Sequence, residues 1–211
     1  MLRVAARALS TQAQPKRRKA DRRAGKNDTA QRILDVSEQL VQVRGFNAFS
    51  YADVATKLGI TKASLHYHFP GKAELGQALI TRYTQRFMTA LGQIDDESDD
   101  APTKLAAYAD LYADTLRGRR MCLCGMLAAE YRTLPRPITR AVVEFFDDNE
   151  TWLAAVLEGG RADHTLRFDG SAADTARMIL GGLEGAMLVG RPYGDPDRFE
   201  ATARTLLRGL S

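Results

Sequence analysis

The sequence predicts an all-α protein in which a compact helical unit near the N-terminal end is followed by a larger helical region. Two observations support this fold class. Apolar residues recur at spacings of three and four along most of the 211 residues, which is the period of an amphipathic helix. Alternating runs of β-branched residues, which would predict strands, are absent from the sequence. A chain of this length is sufficient for one or two domains with a buried core.

The first 27 residues differ in composition from the rest of the chain. They contain nine Lys and Arg residues and one acid, so that the remaining chain carries a net charge of −4. We expect this basic arm, residues 1–27, to be disordered on its own and to lie along DNA phosphates or in a minor groove. A solubilising tail and a start site further along the chain are the alternatives. The likeness of residues 1–12 to a transit peptide is interpreted as accidental.

Residues 50–72 have the pattern of a helix-turn-helix. Ser50 is expected to cap the first helix, with Asp53 as an acidic partner in its first turn. Gly59 supplies the permissive backbone that a sharp turn requires, and Thr61 is expected to cap the second helix. A plain helical hairpin with a glycine turn would share these features, so the identity of the motif depends on what its second helix presents and on the flanking segments.

The second helix of this motif has two different faces. Leu65 and Phe69 lie four positions apart and are expected to point into the core. The other positions hold short, polar or aromatic side chains that form hydrogen bonds, as a recognition helix requires in a major groove. These positions are Lys62, Ala63, Ser64, His66, Tyr67 and His68. The composition predicts contact with double-stranded DNA.

Amphipathic helices are predicted on both sides of the motif. The preceding helix ends at Gly45, a C-terminal stop, and the following helix begins at about Lys72 and continues to about Gln93. Between Asp28 and Leu91, the order of residues resembles the TetR family of bacterial transcriptional regulators. The matching pieces are Gly45-Phe46, Ser50 to Ala55, Leu58 to Lys62, and Leu65 to Phe69 followed by Lys72 and Leu75.

The resemblance implies a two-domain architecture and a set of DNA contacts. A three-helix DNA-binding domain (28–72) would precede a larger helical domain for ligand binding and dimerisation (73–211). The implied DNA-binding residues are Ser50, Tyr51, Thr61, Lys62, Ala63, Ser64, His66, Tyr67, His68 and Lys72. Thr61 to Ser64 would enter the groove, and the phosphate backbone would be bound by Ser50, Tyr51, Tyr67, His68 and Lys72. The family commonly has Gly in place of Ala63 and Tyr in place of His66, so the base preference is not inherited.

The middle of the chain holds an acidic segment and several helices. Residues 95–100 contain five acids and are predicted to form a loop directed away from DNA. Helices are expected from about 102 to 117, from 121 to 131 and from 136 to 160. Aromatic, Met and Cys side chains on these helices, together with one aromatic side chain on the helix before them, are candidates to line a pocket for a small-molecule effector. Plain packing in the core is the alternative explanation for each of them. These candidates are Phe87, Tyr108, Tyr112, Met121, Cys124, Met126, Tyr131, Phe145, Phe146 and Trp152.

The two cysteines, Cys122 and Cys124, have two interpretations. They supply too few ligands for a zinc site, and we expect no metal or other cofactor. They are expected to be small apolar residues in a pocket wall. Alternatively, a thiol near Arg119 and Arg120 has a lowered pKa and senses oxidants or electrophiles on behalf of the same DNA-binding module. No arrangement of Ser, His and acidic residues that would indicate a catalytic set stands out, and neither does a phosphate loop, so an enzyme is not predicted.

The last two predicted helices, about 171–190 and 196–210, are expected to form a homodimer. The first is rich in glycine, which costs about 1 kcal/mol per residue inside a helix and therefore indicates close helix packing. Corresponding helices form a four-helix interface in the family that the chain resembles, whereas packing within one chain is the alternative. No apolar run approaches the roughly 20 residues that span a bilayer, so we expect a soluble, cytoplasmic protein with no membrane partner.

These features together predict a ligand-responsive homodimeric repressor. Two recognition helices in a symmetric dimer have to lie about 34 to 36 Å apart to meet successive turns of a palindromic operator. An effector that moves the fourth helix, from Lys72 to Gln93, would change this separation. Operator and effector would then oppose one another's binding, because each favours a different arrangement of the protein. The sequence does not identify the effector, the operator or the regulated genes.

Overall fold

The computed structural model describes the backbone of residues 15–210 and the side chains of residues 28–210. This part of the chain contains nine α-helices and no strand, which confirms the all-α class. The helices are α1 (Pro15–Arg44), α2 (Tyr51–Leu58), α3 (Lys62–His68), α4 (Lys72–Glu97), α5 (Ala101–Arg117), α6 (Leu123–Ala129), α7 (Arg136–Ala162), α8 (Ala172–Gly190) and α9 (Pro196–Arg208). Short 3-10 turns follow α6 at Tyr131–Thr133 and α8 at Arg191–Tyr193.

Helix α1 is longer than the sequence predicted. It begins at Pro15, so residues 15–27 are helical and do not belong to a disordered arm, while the remainder of that arm, residues 1–14, lies outside the described residues. Proline fits the first turn of a helix, and the Lys, Arg and Ala residues that follow are strong helix formers. The helix ends as expected at Gly45, whose φ of 94° is a left-handed conformation that favours glycine.

The helix-turn-helix is held by the caps that its sequence predicts. The Ser50 side chain accepts a hydrogen bond from the Asp53 backbone N–H at 3.3 Å, and the Asp53 carboxylate accepts one from the Ser50 N–H at 2.7 Å. The hydrogen bonds from Ser50 hold the pKa of Asp53 below its usual value. Gly59 ends α2 with a φ of 66°, and the Thr61 hydroxyl accepts from the Ser64 N–H at 3.1 Å. These contacts fix α3 relative to α2.

Helices α1 to α3 and the beginning of α4 enclose one apolar core. Val54 of α2 and Leu65 of α3 are fully buried in it, as is Leu75 of α4. Phe46 and Phe49, in the segment between α1 and α2, pack edge to face with their ring centroids 5.7 Å apart. We call this four-helix assembly the head unit. Its core continues without interruption into that of the C-terminal helices, α5 to α9.

Helix α4 connects the head unit to the C-terminal domain. Arg82 on α4 forms ion pairs with Asp35 at 2.7 Å and with Glu38 at 2.8 Å, both on α1. Closer to its start, Gly76 allows α4 to approach α7, because a Cβ atom at that position would lie 2.5 Å from Ile138 Cδ1. A displacement of α4 would therefore disturb contacts on both sides of the junction.

The prediction of a loop across residues 95–100 was wrong for its first half. Helix α4 continues through Glu97, and only residues 98–100 interrupt the helices. The Asp95 carboxylate accepts hydrogen bonds from Lys104 Nζ and Trp152 Nε1, each at 2.8 Å. Burial works against the charge, but these two donors outweigh it and lower the pKa of Asp95. The charge of Asp95 is thus compensated by partners on other helices, which composition alone does not reveal.

The C-terminal domain is formed by α5 to α9. Helix α7 lies against α8, α8 lies against α9, and α5 contacts both α7 and α9. The segment around residues 121–131 is less helical than predicted, since α6 spans only Leu123–Ala129. Among the described residues, no helix has both the length and the apolar character needed to cross a membrane.

Candidate nucleic-acid interface and effector site

Helix α3 presents its predicted DNA-binding residues on an accessible face. The side chains of Thr61, Lys62 and Ala63 are exposed at its N-terminal end, and Ser64 is half-buried. Tyr67, one turn further on, is 69% exposed, which is unusual for a large aromatic side chain. Leu65 lies on the opposite face and is fully buried, as its spacing predicted. A protruding aromatic and polar surface of this kind fits the major groove of duplex DNA.

His66 is held in a defined orientation on this surface. Its Nδ1 atom lies 3.0 Å from the carbonyl oxygen of Pro70, and its ring packs 4.8 Å from that of Tyr51. A carbonyl oxygen only accepts hydrogen bonds, so Nδ1 carries the proton and Nε2 is the acceptor in the neutral ring. The exposed imidazole therefore offers an acceptor to an N–H group on a base edge, such as adenine N6 or cytosine N4.

Tyr51 has a different environment from the one that the resemblance implied. Its hydroxyl donates a hydrogen bond to the Phe69 carbonyl at 2.9 Å, and burial, with a smaller contribution from Glu74, raises its pKa to about 12. The hydroxyl proton is thus used within the protein and is not directed to a phosphate. In this arrangement, Tyr51 joins the start of α2 to the end of α3 and supports the imidazole of His66.

Lys72 lies at the start of α4 beside the N-terminal end of α2. Its Nζ atom donates to the Phe49 carbonyl at 2.6 Å and lies 4.5 Å from the centre of the Phe49 ring. Partial burial lowers the pKa of Lys72. The ammonium borders a groove of about 430 Å³ that Ser50, Lys62 and His66 also line. The positive charge of two lysines on one groove would attract a phosphate of the DNA backbone.

Six of the ten predicted effector residues lie together where α4 packs against the C-terminal domain. They are Phe87, Tyr108, Tyr112, Phe145, Phe146 and Trp152, and with Tyr83 they form what we call the aromatic cluster. The Phe87 ring is central, with its centroid 5.2 Å from that of Phe145 and 5.9 Å from that of Tyr112. The cluster lies between α4, α5 and α7, so it is in contact with the helix that leads to the head unit.

Hydrogen bonds give the aromatic cluster a fixed polar chain. Tyr108 donates to Asn149 Oδ1 at 3.0 Å, because the Asn149 amide nitrogen donates to the Phe145 carbonyl at 2.7 Å. Tyr112, whose hydroxyl lies 3.0 Å from that of Tyr108, is therefore the donor between the two tyrosines. Burial raises the pKa of both phenols.

The other four predicted effector residues are not members of the aromatic cluster. Met126 accepts a hydrogen bond through its sulfur from Arg191 at 3.4 Å, and Met121 faces the junction between the head unit and the C-terminal domain. Tyr131 is 46% exposed on its 3-10 turn. Cys124 is fully buried and lies two positions after Cys122 in the sequence.

The environment of the cysteines is that of packed core residues. Cys122 and Cys124 are free thiols with at most 1% of their surface exposed. Burial raises the pKa of both thiols well above the usual value, and the nearby Glu184 raises that of Cys122 further. Tyr83 donates a hydrogen bond to the Cys122 sulfur at 3.6 Å. Because the thiolate is the reactive form, this surrounding disfavours the interpretation as an oxidant or electrophile sensor.

Among the described residues, Glu184 on α8 is the acid that has a buried carboxylate oxygen without a hydrogen-bond partner. Its Oε1 atom is inaccessible to solvent and has no hydrogen-bond partner, although part of the side chain is exposed. Burial raises its pKa to about 7, while a hydrogen bond from Cys122 opposes the shift. An acid between glycines in an otherwise apolar segment was the available sequence signal, and it was overlooked.

Replacing Glu184 by glutamine is expected to make stability less dependent on pH. The unfolded carboxyl ionises near pH 4.5, whereas the folded one keeps its proton until about pH 7. The wild type therefore loses stability as the pH rises between these values. We expect the advantage of Glu184→Gln in free energy of unfolding to grow by about 3 kcal/mol from pH 4.5 to about pH 8 in denaturant titrations. Glu158→Gln, at an exposed position on α7, is the control, and equal pH profiles for all three proteins would contradict the assignment.

Glu130 is a second residue that sequence reasoning missed. Its carboxylate accepts hydrogen bonds from the backbone N–H groups of Phe46 at 2.7 Å and Asn47 at 3.2 Å. The Asn47 side chain also donates to the Thr133 hydroxyl at 2.7 Å. A Cβ atom at Gly45 would lie 2.6 Å from this carboxylate. The end of α6 is thus fastened directly to the turn between α1 and α2, more than 80 positions away in the sequence, and no local pattern indicates this.

Metal chemistry has no visible site in the described region. No group of three or more His, Cys, Asp or Glu side chains between residues 28 and 210 is placed to hold a metal ion.

The fold combines a capped helix-turn-helix, whose recognition helix is exposed, with a helical domain joined to it through α4. A fold and surface of this kind define a DNA-binding regulator of transcription.

Comparisons with known proteins identify the family. Residues 33–79 match the family described as bacterial regulatory proteins, tetR family, and residues 101–206 match the tetracyclin repressor-like C-terminal domain. The chain belongs to the TetR family of transcriptional regulators, which confirms the resemblance inferred from its sequence. Because this family consists of DNA-binding regulators, membership also agrees with the prediction that the protein is not an enzyme.

Individual relatives extend the match over most of the chain. A TetR-family regulator from Agrobacterium tumefaciens is 32% identical, with a TM-score of 0.86 over 88% of this chain and 99% of that one. A TetR regulator from Legionella pneumophila is 34% identical, with a TM-score of 0.79 over 87% and 97% of the two chains. The transcriptional repressor NemR of Escherichia coli K12 is 25% identical over 77% of this chain and 83% of its own length.

Proposed function

We propose that the protein is a homodimeric repressor that binds a palindromic DNA operator and is released from it by a small molecule. The observation that carries this proposal is the accessible face of α3, where Lys62 and Tyr67 protrude next to the groove that contains Lys72. The caps at Ser50 and Thr61 hold this surface rigidly before DNA is bound. Rigid presentation reduces the entropy lost on binding, which favours specific recognition.

A stripe of apolar residues and glycines along α8 supports the homodimer. Met178, Gly181, Gly185 and Leu188 recur every three or four positions, and Val189 follows Leu188 directly. Gly185 is half-buried and the other four are exposed. A Cβ atom at Gly181 or Gly185 would meet no atom within 4 Å, whereas one at Gly182 would lie 2.9 Å from Leu206 on α9. Packing within the chain thus accounts for Gly182, and a second protomer accounts for the open stripe.

The aromatic cluster is the proposed effector site. Tyr83 and Phe87 belong to α4. The residue directly before each of them is an arginine, Arg82 or Arg86, and both arginines form ion pairs with Glu38 on α1. A molecule inserted among these rings would displace α4 and with it the head unit. Operator and effector would then be antagonists, each lowering the affinity for the other by the same factor. NemR, a relative of this chain, is a transcriptional repressor, which adds support for repression.

Replacing Glu130 by glutamine is expected to weaken the connection between α6 and the head unit. The amide keeps the size of the side chain but loses the charge that two backbone N–H groups share, at a cost of about 1 to 2 kcal/mol. We expect this loss in thermal or denaturant unfolding, together with faster amide hydrogen exchange at Phe46 and Asn47. The control is Glu144→Gln, an exposed substitution on α7, and unchanged exchange at both amides would contradict this role for Glu130.

The direct experiment is selection of DNA fragments from the organism's own genome by the full-length protein. We expect the bound fragments to share an inverted repeat and the affinity to fall steeply with salt, because phosphate contacts release counterions. Fragments without twofold symmetry would contradict the dimeric mode of binding. No enrichment of any sequence would contradict the function as a specific regulator.

A further inference from the structure

We propose that a cavity at the junction of the head unit and the C-terminal domain binds a small organic anion. The cavity has a volume of about 550 Å³ and lies between the end of α1, the turn after α5 and the segment that joins α8 to α9. It is separate from the aromatic cluster, with which it shares no lining residue. A volume of this size lies within the range of small-molecule sites.

The lining of this cavity carries positive charge that the protein does not neutralise. Four arginines and one acid line it: Arg117, Arg119, Arg120, Arg191 and Asp195. The Arg117 guanidinium already pairs with Asp114 and Glu200. The Asp195 carboxylate caps α9 by accepting the backbone N–H of Asp197 at 3.0 Å. Within residues 28–210, no carboxylate forms an ion pair with any of the three remaining guanidinium groups, so an anion in the cavity would meet three positive charges against the one negative charge of Asp195.

Structural roles explain only part of this arginine cluster. Arg191 donates to the Val43 carbonyl at the end of α1 and to the Met126 sulfur, and Arg120 lies 3.5 Å from the Gln42 amide oxygen. Each guanidinium has five N–H donors, so several remain after these contacts. Arg119 has no such side-chain contact. Its backbone φ of 55° belongs to the turn that ends α5, in which the Arg119 N–H donates to the Leu116 carbonyl at 2.7 Å and the Arg120 N–H to the Thr115 carbonyl at 3.0 Å. The guanidinium of Arg119 is therefore available to a ligand.

The walls of the cavity define the chemical class of the ligand. Planar guanidinium groups bind carboxylates and phosphates through paired hydrogen bonds. Val43, Leu116 and Met121 supply an apolar wall beside them. The site therefore fits a carboxylate or phosphate group attached to a small hydrocarbon body, and it excludes cations of the same shape by repulsion.

This site would connect anion binding to DNA binding. Val43 belongs to α1 of the head unit, whereas Arg119 and Arg191 belong to the C-terminal domain. A ligand that bridges the two sides stabilises the arrangement in which they lie close together. Binding of the anion then changes the affinity for the operator by a certain factor, and binding of the operator changes the affinity for the anion by the same factor. The anion would act at the junction itself, independently of any molecule bound among the aromatic rings.

The test is calorimetric titration of the full-length protein, in the absence of DNA, with benzoate and phenyl phosphate. Benzamide, which is neutral, is the matched control for charge. We expect saturable binding of one anion per protomer and no binding of benzamide. Phenyl phosphate binding more tightly than benzoate would assign a phosphate ligand, and the reverse order a carboxylate ligand. Arg119→Ser should weaken binding at least 10-fold, since it removes a charged hydrogen-bond donor from the site.

Two results would overturn the proposal. One is the absence of saturable binding of both anions by the wild-type protein. The other is an Arg119→Ser protein whose affinity equals that of Arg140→Ser, a control at an exposed arginine on α7. Arg119 is itself exposed, so circular dichroism should show both variants to be folded. Because the titration contains no DNA, a negative result would leave the proposed repressor function intact.

Discussion

Replacing Leu188 by aspartate is expected to separate the dimer and to lower operator affinity by a factor of about 10² to 10⁴. Leu188 is 60% exposed within one protomer, so the charge disturbs little of the protomer's own packing. In the proposed dimer, the same position lies between two α8 helices, where an unpaired carboxylate is desolvated. Loss of the second protomer removes the gain from binding two half-sites at once, which is the origin of the large factor.

Light scattering after size-exclusion chromatography measures the mass of this variant, and a gel-shift titration measures its affinity for the operator. The matched control is Val143→Asp, which places the same charge on an exposed apolar position of α7, 44% exposed and not part of the stripe on α8. We expect the control to remain a dimer with wild-type affinity. A Leu188→Asp protein that stays dimeric and binds DNA normally would show that α8 does not form the interface.

Replacing Tyr67 by alanine is expected to lower operator affinity by about 10- to 100-fold, while the free energy of unfolding changes by less than about 0.5 kcal/mol. The side chain is 69% exposed and contributes little to the core. In the proposed complex with DNA, this substitution would remove a hydrogen bond to a charged phosphate and an aromatic contact at the groove. Lys72→Ala should also reduce the dependence of affinity on salt by about one counterion, because it deletes one phosphate contact.

Fluorescence anisotropy with a labelled operator at several salt concentrations separates these two effects. Tyr193→Ala is the control, because Tyr193 is 62% exposed but lies after α8, away from the helix-turn-helix. Tyr67→Phe tests the hydroxyl alone. Wild-type affinity in the Tyr67→Ala protein would contradict contact between the exposed face of α3 and DNA, whatever the behaviour of Lys72→Ala.

The local features of the head unit were readable from the sequence because each depends on near neighbours. The cap at Ser50 needs only Asp53 three positions away, and the turn needs only the left-handed conformation of Gly59. Leu65 is buried because helical spacing places it opposite the polar positions. The ends of most C-terminal helices followed from proline, glycine and periodicity in the same way.

The features that sequence reasoning missed depend on contacts between distant segments. Asp95 belongs to an acidic run that looked like a loop, yet Lys104 and Trp152 neutralise it. Glu130 looked like an ordinary helix end until the fold placed it on the backbone of Phe46. Tyr51 was assigned to a phosphate by family position, whereas its proton is used by a carbonyl 18 residues away. Such partners are set by tertiary packing, which a single sequence does not display.

The most direct test of the central claim is operator affinity as a function of the spacing between its two half-sites. A symmetric dimer with two exposed α3 helices requires half-site centres separated by about one helical turn or a multiple of it. Inserting about five base pairs turns one half-site to the opposite side of the duplex. We expect this insertion to reduce affinity to that of an isolated half-site and insertion of about ten to restore part of it. Affinity that does not depend on the spacing would contradict recognition by a twofold-symmetric pair of helices.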